Sequence, residues 1–518
     1  MNFSNSVLSS LLWCPIVGAL IVSLLPRRVA REGAFVVAFI NFIFSLHLLA
    51  HWNDASGVVT NGKFRFVENT LWLPQLGVNY HLGVDGISLW MVLLTTFLVP
   101  LVMLFSWNLA QRTKEFMVCL LLMQAAIIGV FCALDVILFY IFWEAVLIPT
   151  LLLIGMWGGS KRAAASVKFF VYTMAGSVLM WVAMLWLYFQ QPTSTRSFDY
   201  NAMLQAANNS ESSMVAFALF GAFAIAFAIK APLFPFHTWL PDTYAEAPTA
   251  ASVLLAAVLS KMGIYGFLRF AIPFFPATAR EFAPILAFLA IAGIIYGAFV
   301  AISQTDVKKV IAYSSVSHLG LILLGVFAAL SAGATYGEQA MSGAVLQMVA
   351  HGLSTGALFL LAGAMLERVP NREMGAFGGV AAVMPRFTVF FWLAMFASIG
   401  LPGLSNFVGE YLIFQGVMAA NFWWAVLATT TVILSAIYML RMFRNTMYGE
   451  VSHSENNALP DLGKREVLVL AILALAIIYV GVKPQPLLNT IAPDAREIIV
   501  PRPENENQVA QLSTSSTR

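Results

Sequence analysis

Residues 138–153 read LFYIFWEAVLIPTLLL, an apolar run with a single ionisable side chain, Glu144, near its middle. Extended to 135–157, the run is long enough for a bilayer core of ~30 Å, which takes about 20 mostly apolar residues in a helix. Glu144 stands nine residues after Asp135, which is ~14 Å along a helix rising ~1.5 Å per residue. That depth is close to the midplane, where an ionisable group costs roughly 2.5–3.5 kcal/mol on insertion scales. A membrane helix with a carboxylate at its centre needs a partner, water or a function for that group.

The same pattern recurs along all 518 residues, of which 60% are hydrophobic and 10% charged. Globular domains average roughly 45–50% and ~25%, so a water-soluble fold is excluded. The formal net charge of +3 is spread without a Lys/Arg run, so no nucleic-acid partner is expected. Cys14, Cys119 and Cys132 lie in apolar runs with no short spacing, which argues against disulfides, thiolate-held iron–sulfur clusters and structural zinc. No dinucleotide fingerprint, phosphate loop or zinc-protease helix stands out, so neither a cofactor nor a metal is expected in this chain.

Counting runs of sufficient length gives fourteen expected spans, at 7–25, 33–52, 86–107, 115–133, 135–157, 164–189, 214–236, 246–271, 283–303, 306–330, 341–366, 387–418, 422–446 and 465–482. The fold class is therefore an all-α, multi-pass integral membrane protein. The start, MNFSNS, has no basic region before its apolar run and reads as a retained helix rather than a signal peptide. Arg27, Arg28 and Arg31 follow the first span, and alternate loops collect most of the remaining Lys and Arg, including Lys308 and Lys309. The other loops hold only Lys63, Arg65, Arg196, Arg269 and Arg280. By the positive-inside rule both termini are extracytoplasmic, and the polar tail is mobile or laid against a partner.

Within the spans remain Lys168, Lys230, Lys261, Glu144 and Glu410. Lys230 is followed by APLFPF, where Pro232 and Pro235 lack backbone donors and should break the seventh span. Glu410 follows IGLPGLSNFVG, where Pro402 and Gly403 should break the twelfth. Two interrupted helices five spans apart fit a transporter built from inverted repeats. The organisation expected is a three-helix region at 1–110, five-helix repeats at 111–271 and 272–446, a last span within 447–482, and a tail at 483–518.

His318 and His351 each lie ten to twelve residues into a span. With hydroxyls of Ser314, Ser315, Ser317, Ser354 and Thr355 nearby, imidazoles there suit proton relay. Lys261, His318, His351 and Glu410 would follow one another at mid-depth, with Glu144 and Lys230 as a coupling pair. Blander readings stand beside this one: a stabilising Glu144–Lys230 pair, packing histidines, axial haem ligation by His318 and His351, and a Lys168 that snorkels to the surface. His237 sits at the mouth of the broken seventh span, with gating or a surface role as open as proton transfer.

At these residues the chain resembles the antiporter-like subunits of respiratory complex I, which are related to the Mrp cation/proton antiporters. The resemblance covers nearly the whole chain. It is carried by HLGVDGISLWMVLLT (81–95), FYIFWEAVLIPT (139–150), FHTWLPDTYAEAPTAASVLLAAVLSK (236–261), QTDVKKVIAYSSVSHLG (304–320), MVAHGLSTGALFLLAG (348–363) and GLPGLSNFVGE (400–410). It implies proton translocation: Glu144 and Lys230 match the coupling pair, Lys261 the central lysine, His318 and His351 the relay, and Glu410 the terminal site. Glutamate at 410 separates this chain from the family's subunits L and N, which usually carry lysine there and are the expected neighbours in the membrane. The family's flavin, iron–sulfur and quinone sites belong to other subunits. One departure is visible: where the family often reads PDAH, this chain has Pro241, Asp242, Thr243 and Tyr244, so a cytoplasmic entry route using that histidine cannot operate here in the same form. A secondary antiporter working without redox input is the alternative, and a membrane scaffold fixed by buried charges is a third.

Overall fold

The computed structural model describes residues 6–54, 60–61, 63–109, 111–210, 214–449 and 454–500. The first five residues, His453 and the tail beyond 500 lie outside the described residues. Among those described, twelve helices are long and apolar enough to cross a membrane, from Val7–Leu24 to Lys464–Val482. Two further expected spans are the shorter apolar helices Met214–Lys230 and Pro385–Ile399, the two predicted to be interrupted.

Polar caps fix where several spans begin, and therefore how deep their ionisable residues sit. Asp135 Oδ1 accepts from Ile137 N at 2.9 Å and Leu138 N at 3.2 Å, which starts the helix Val136–Ala145 and sets the depth of Glu144. Asp85 and Asp306 do the same for the third and tenth spans, accepting from Ser88 N at 2.9 Å and Lys309 N at 3.2 Å. A first-turn N–H has no partner inside its own helix, so a cap oxygen satisfies it and complements the helix dipole.

The breaks follow from local chemistry. Met214–Lys230 stops ahead of Pro232 and Pro235, the indole of Trp239 donates to the Ile229 carbonyl at 2.8 Å, and helix resumes as Trp239–Glu246. Pro385–Ile399 ends at Gly400, and both Gly400 and Gly403 adopt φ +88°, a left-handed conformation open to glycine at little cost. The chain then re-enters helix as Ser405–Ala420, carrying Glu410. A third irregularity was not expected. The eighth span, Thr249–Phe274, contains two π-helical turns, Leu255–Leu259 and Phe267–Ala271, on either side of Ser260–Gly266. Such wide turns are rare and cluster at functional sites; Lys261 lies between them.

Two elements depart from the expectation. The membrane part is all helix, but Thr60–Asn61, Phe64–Leu73 and Val78–Val84 form a three-stranded antiparallel sheet before the third span. Its hairpin signal is the β-rich FRFVENTLWL and VNYHLGV around Gly77 at φ +62°, which a search for long apolar runs passes over. The tail, expected to be mobile or laid against a partner, forms the helix Gln485–Ile499 on this chain itself. Leu487, Ile491, Ala495 and Ile498 make its buried stripe, a helical spacing too short to count as a span. Its polar groups are matched too: Asp494 Oδ2 accepts from Gly86 N at 2.6 Å, Thr490 from the Trp90 indole at 2.6 Å, and the Ile499 carbonyl from Arg280 at 3.1 Å.

Two basic residues assigned to loops are buried instead. Arg269, 2% exposed, lies within the eighth span near the sheet, 2.7 Å from Asp85 and donating to Tyr265 Oη at 3.0 Å. Lys308, 3% exposed, lies in the first turn of Val307–Ala329 at the opposite end.

Candidate functional site

Four of the six singled-out residues come together. Lys261 is fully buried; its amine donates to the Ala256 carbonyl in the widened turn and lies 2.8 Å from His351 Nδ1. The His351 and His318 rings are 5.5 Å apart, centroid to centroid, tilted by 45°. His318 Nδ1 is 3.4 Å from Glu410 Oε1, at ion-pair distance although not aligned as a hydrogen bond, and His318 Nε2 is 3.4 Å from the Tyr438 hydroxyl. The order along the line is therefore Lys261, His351, His318, Glu410. Both imidazoles come from neighbouring helices, Val307–Ala329 and Gly333–Arg368, and Glu410 from the helix after the second break.

The break explains the carboxylate's place. A Cβ at Gly400 would lie 2.6 Å from Glu410 Oε2, so the absence of a side chain there gives Glu410 its room. Gln347 Nε2 donates to Glu410 Oε1 at 3.1 Å. Gln347, Asn406 and Tyr438 were missed by the sequence reading. The first two had a signal: Gln347 precedes His351, and Asn406 precedes Glu410, by four residues on a helix, which places each pair on one face. Tyr438 had none. The expected hydroxyls serve other ends: Ser314 and Ser315 donate to the Ile311 carbonyl at 2.8 and 3.1 Å, and Ser317 to the Ile294 carbonyl at 2.9 Å, the usual back-bonding of hydroxyls within or between helices.

Haem ligation does not fit. The nitrogens of His318 face Glu410 and Tyr438, and Nδ1 of His351 faces Lys261, so the two rings do not direct free nitrogens at a common axial site.

The other two residues stand apart from this line. Glu144 and Lys230 form no ion pair within 4.0 Å among the described residues. Lys230, 1% exposed, lies over the Trp143 ring at 4.9 Å and the Phe169 ring at 5.9 Å, a cation–π environment. In place of the expected direct pairing, Lys230 meets the ring of Trp143, the residue next to Glu144 on the helix. Lys168 pairs with Asp242 at 2.7 Å, both partly exposed, which fits the snorkelling reading. His237 is buried against Phe234 and Tyr296, with ring centroids at 5.6 and 5.0 Å.

Comparison with known proteins identifies the family and the fold. A family model described as NADH:quinone oxidoreductase/Mrp antiporter, TM, matches residues 133–435, and one described as NADH-ubiquinone oxidoreductase chain 4, amino terminus, matches 62–130. The NADH-quinone oxidoreductase subunit M of Rhodobacter capsulatus is 41% identical over 523 residues, with 98% of each chain covered. The NADH-ubiquinone oxidoreductase chain 4 of Arabidopsis thaliana is 37% identical, with 93% of this chain and 94% of that one covered. A chain of respiratory complex I from Thermus thermophilus superposes with a TM-score of 0.84 at 32% identity, covering 95% of this chain and 99% of its own. A chain of the Mrp complex from Dietzia sp. DQ12-45-1b shares the fold, with a TM-score of 0.83 at 20% identity over 97% and 98% of the two chains. The chain belongs to the NADH:quinone oxidoreductase/Mrp antiporter family of membrane subunits, in its subunit M branch.

Proposed function

We propose that this chain translocates protons across a bacterial inner membrane as an antiporter-like subunit of an NADH:quinone oxidoreductase, with no covalent chemistry of its own. The observation that carries the reading is the succession Lys261, His351, His318, Glu410 on four helices, with unpartnered nitrogens between the links for water to join. Lys230 Nζ, Glu144 Oε1, His318 Nδ1, His351 Nε2, Gln347 Oε1 and Asn406 Nδ2 are buried without a hydrogen-bond partner among the described residues. Buried polar atoms are nearly always satisfied, and water completes those that side chains do not; a wetted line suits proton hopping. Redox energy released in other subunits shifts Glu144 relative to Lys230, and the change in charge drives protons from Lys261 through the histidines toward Glu410. Flavin, iron–sulfur and quinone sites lie in those other subunits.

The same reading takes the chain as fourteen spans with inverted repeats at 111–271 and 272–446, both termini extracytoplasmic, embedded in membrane lipid between antiporter-like subunits L and N. A secondary antiporter of Mrp type is favoured only by the shared fold. In membranes holding the assembled complex, Lys261→Ala is expected to abolish proton pumping while the complex still forms. A Lys261→Ala complex pumping at the parental rate would refute the proposal, and Na⁺-driven proton movement in vesicles lacking NADH oxidation would favour the antiporter.

A further inference from the structure

Lys261 is enclosed on all sides, so a proton must reach it from one end of the molecule. The end carrying the loops 158–161, 304–306 and 369–384, cytoplasmic in the orientation proposed above, holds a second buried lysine that the relay does not use. Lys308 makes no ion pair within 4.0 Å among the described residues; its amine donates to the Ala247 carbonyl at 2.8 Å and lies 3.4 Å from Ser252 Oγ. Leaving a lysine 3% exposed with only neutral partners is costly, and a neutral carbonyl and a hydroxyl do not require a permanent cation. A small recess of about 10 Å³, bordered by Val307, Lys308, Met365, Leu366, Arg372 and Phe377, lies beside it with room for about one water. The rim is charged: Arg372 pairs with Glu246 at 2.9 Å and Asp306 at 3.1 Å.

From Lys308 hydroxyls continue inward. Ser252 Oγ donates to the Tyr244 carbonyl at 2.9 Å. The Tyr244 phenol lies further in, its hydroxyl donating to the Leu255 carbonyl at 2.9 Å within reach of Ser260, and water carries the proton across from Ser252 to it. Ser260 Oγ, at 3.2 Å, and the Lys261 amine donate to one carbonyl, that of Ala256. The first π-helical turn, Leu255–Leu259, is where this column meets Lys261.

We infer that Lys308 is the proton-uptake residue for Lys261, delivering protons from the recess through Ser252, Tyr244 and Ser260. This rests on the proton-translocating role proposed for Lys261. Tyr244 stands where the family's PDAH carries its histidine, so this chain has a phenol in place of that imidazole.

The test is Lys308→Arg in the assembled complex, with Lys261→Ala made in parallel and assembly followed on native gels. Arginine keeps the charge and can still donate to the Ala247 carbonyl, but it does not give up its proton. If Lys308 relays protons, Lys308→Arg assembles normally while pumping falls by about tenfold or more, Lys308→Ala is equally slow, and added methylamine restores part of the Lys308→Ala rate. Tyr244→Phe slows pumping without altering assembly. Parental pumping by Lys308→Arg would make the lysine a structural donor and overturn the inference, as would an assembled Lys308→Ala that pumps at full rate. If Lys261→Ala also pumps at full rate, the underlying proposal fails with it; if Lys261→Ala is dead and Lys308→Arg is not, only the uptake route fails.

Discussion

Lys261 and His351 lie 2.8 Å apart in a fully buried contact. Two cations at that distance repel strongly in a low-dielectric interior, so the pair holds at most one excess proton between two bases, one nitrogen donating and the other accepting. The next step differs. His318 has a carboxylate on one nitrogen and a phenol on the other, so a proton arriving there is stabilised by Glu410 before it moves on. His351 is therefore the link whose removal severs the line while leaving both ends in place. His351→Ala is expected to leave assembly intact and lower proton pumping per NADH by about tenfold or more, the range lost with a positioned acid–base group, as read by a pH-sensitive dye in inverted vesicles. Unchanged pumping would show that protons bypass the histidines. The relay was legible in the sequence because ionisable groups at mid-span are rare and expensive. Its neutral companions were fainter: Gln347 and Asn406 were marked only by lying four residues before His351 and Glu410, and Tyr438 by nothing, since phenols in apolar helices are common enough to pass unremarked.

At the scale of elements, helix breaks at prolines and positive-φ glycines could be read from residue type alone, since ring geometry and a missing N–H act locally. The π-helical turns around Lys261 could not, because AAVLSKMGIYG has no residue that forces a wider turn; tertiary packing selects it. The helix Gln485–Ile499 was hidden by Pro484, Pro486 and Pro493 and by its brevity. Its docking depends on a carboxyl. Burial, reinforced by the negative charge of Asp85, pushes Asp494 from 3.8 up to about 7, while Lys63 and Arg269 act in the other direction. A carboxyl whose folded-state pKa is raised binds its proton more tightly when docked, so docking is supported at low pH and loses that support as pH climbs from about 4 through about 7. Amide hydrogen exchange across 485–499, corrected for the intrinsic rate, is expected to speed up between pH 5.5 and 8 in the parent by an amount that Asp494→Asn abolishes. Exchange with the same pH dependence in Asp494→Asn would remove Asp494 as the cause.

At the scale of the whole molecule, the ionisable residues fall into two groups rather than one thread. Lys261, His351, His318 and Glu410 form a line, whereas Lys230 rests on Trp143 and Phe169 with no ion pair to Glu144. Sequence position alone could not separate them, since depth along a helix says nothing of the direction in which a side chain points. If the Glu144 and Lys230 pair drives the line, the two share one coupling free energy and each must respond to the other. A double-mutant cycle reads that directly. Glu144→Ala removes the driving charge and His351→Ala, which leaves measurable pumping, cripples the driven line, so once either is impaired the other has little left to contribute. The double variant is expected to pump no worse than the poorer single variant, a clear departure from additivity at sites without direct contact. Losses in pumping that multiply, each substitution costing the same factor in either background, would mean that Glu144 acts on assembly or packing and that the line through Lys261 is driven from elsewhere.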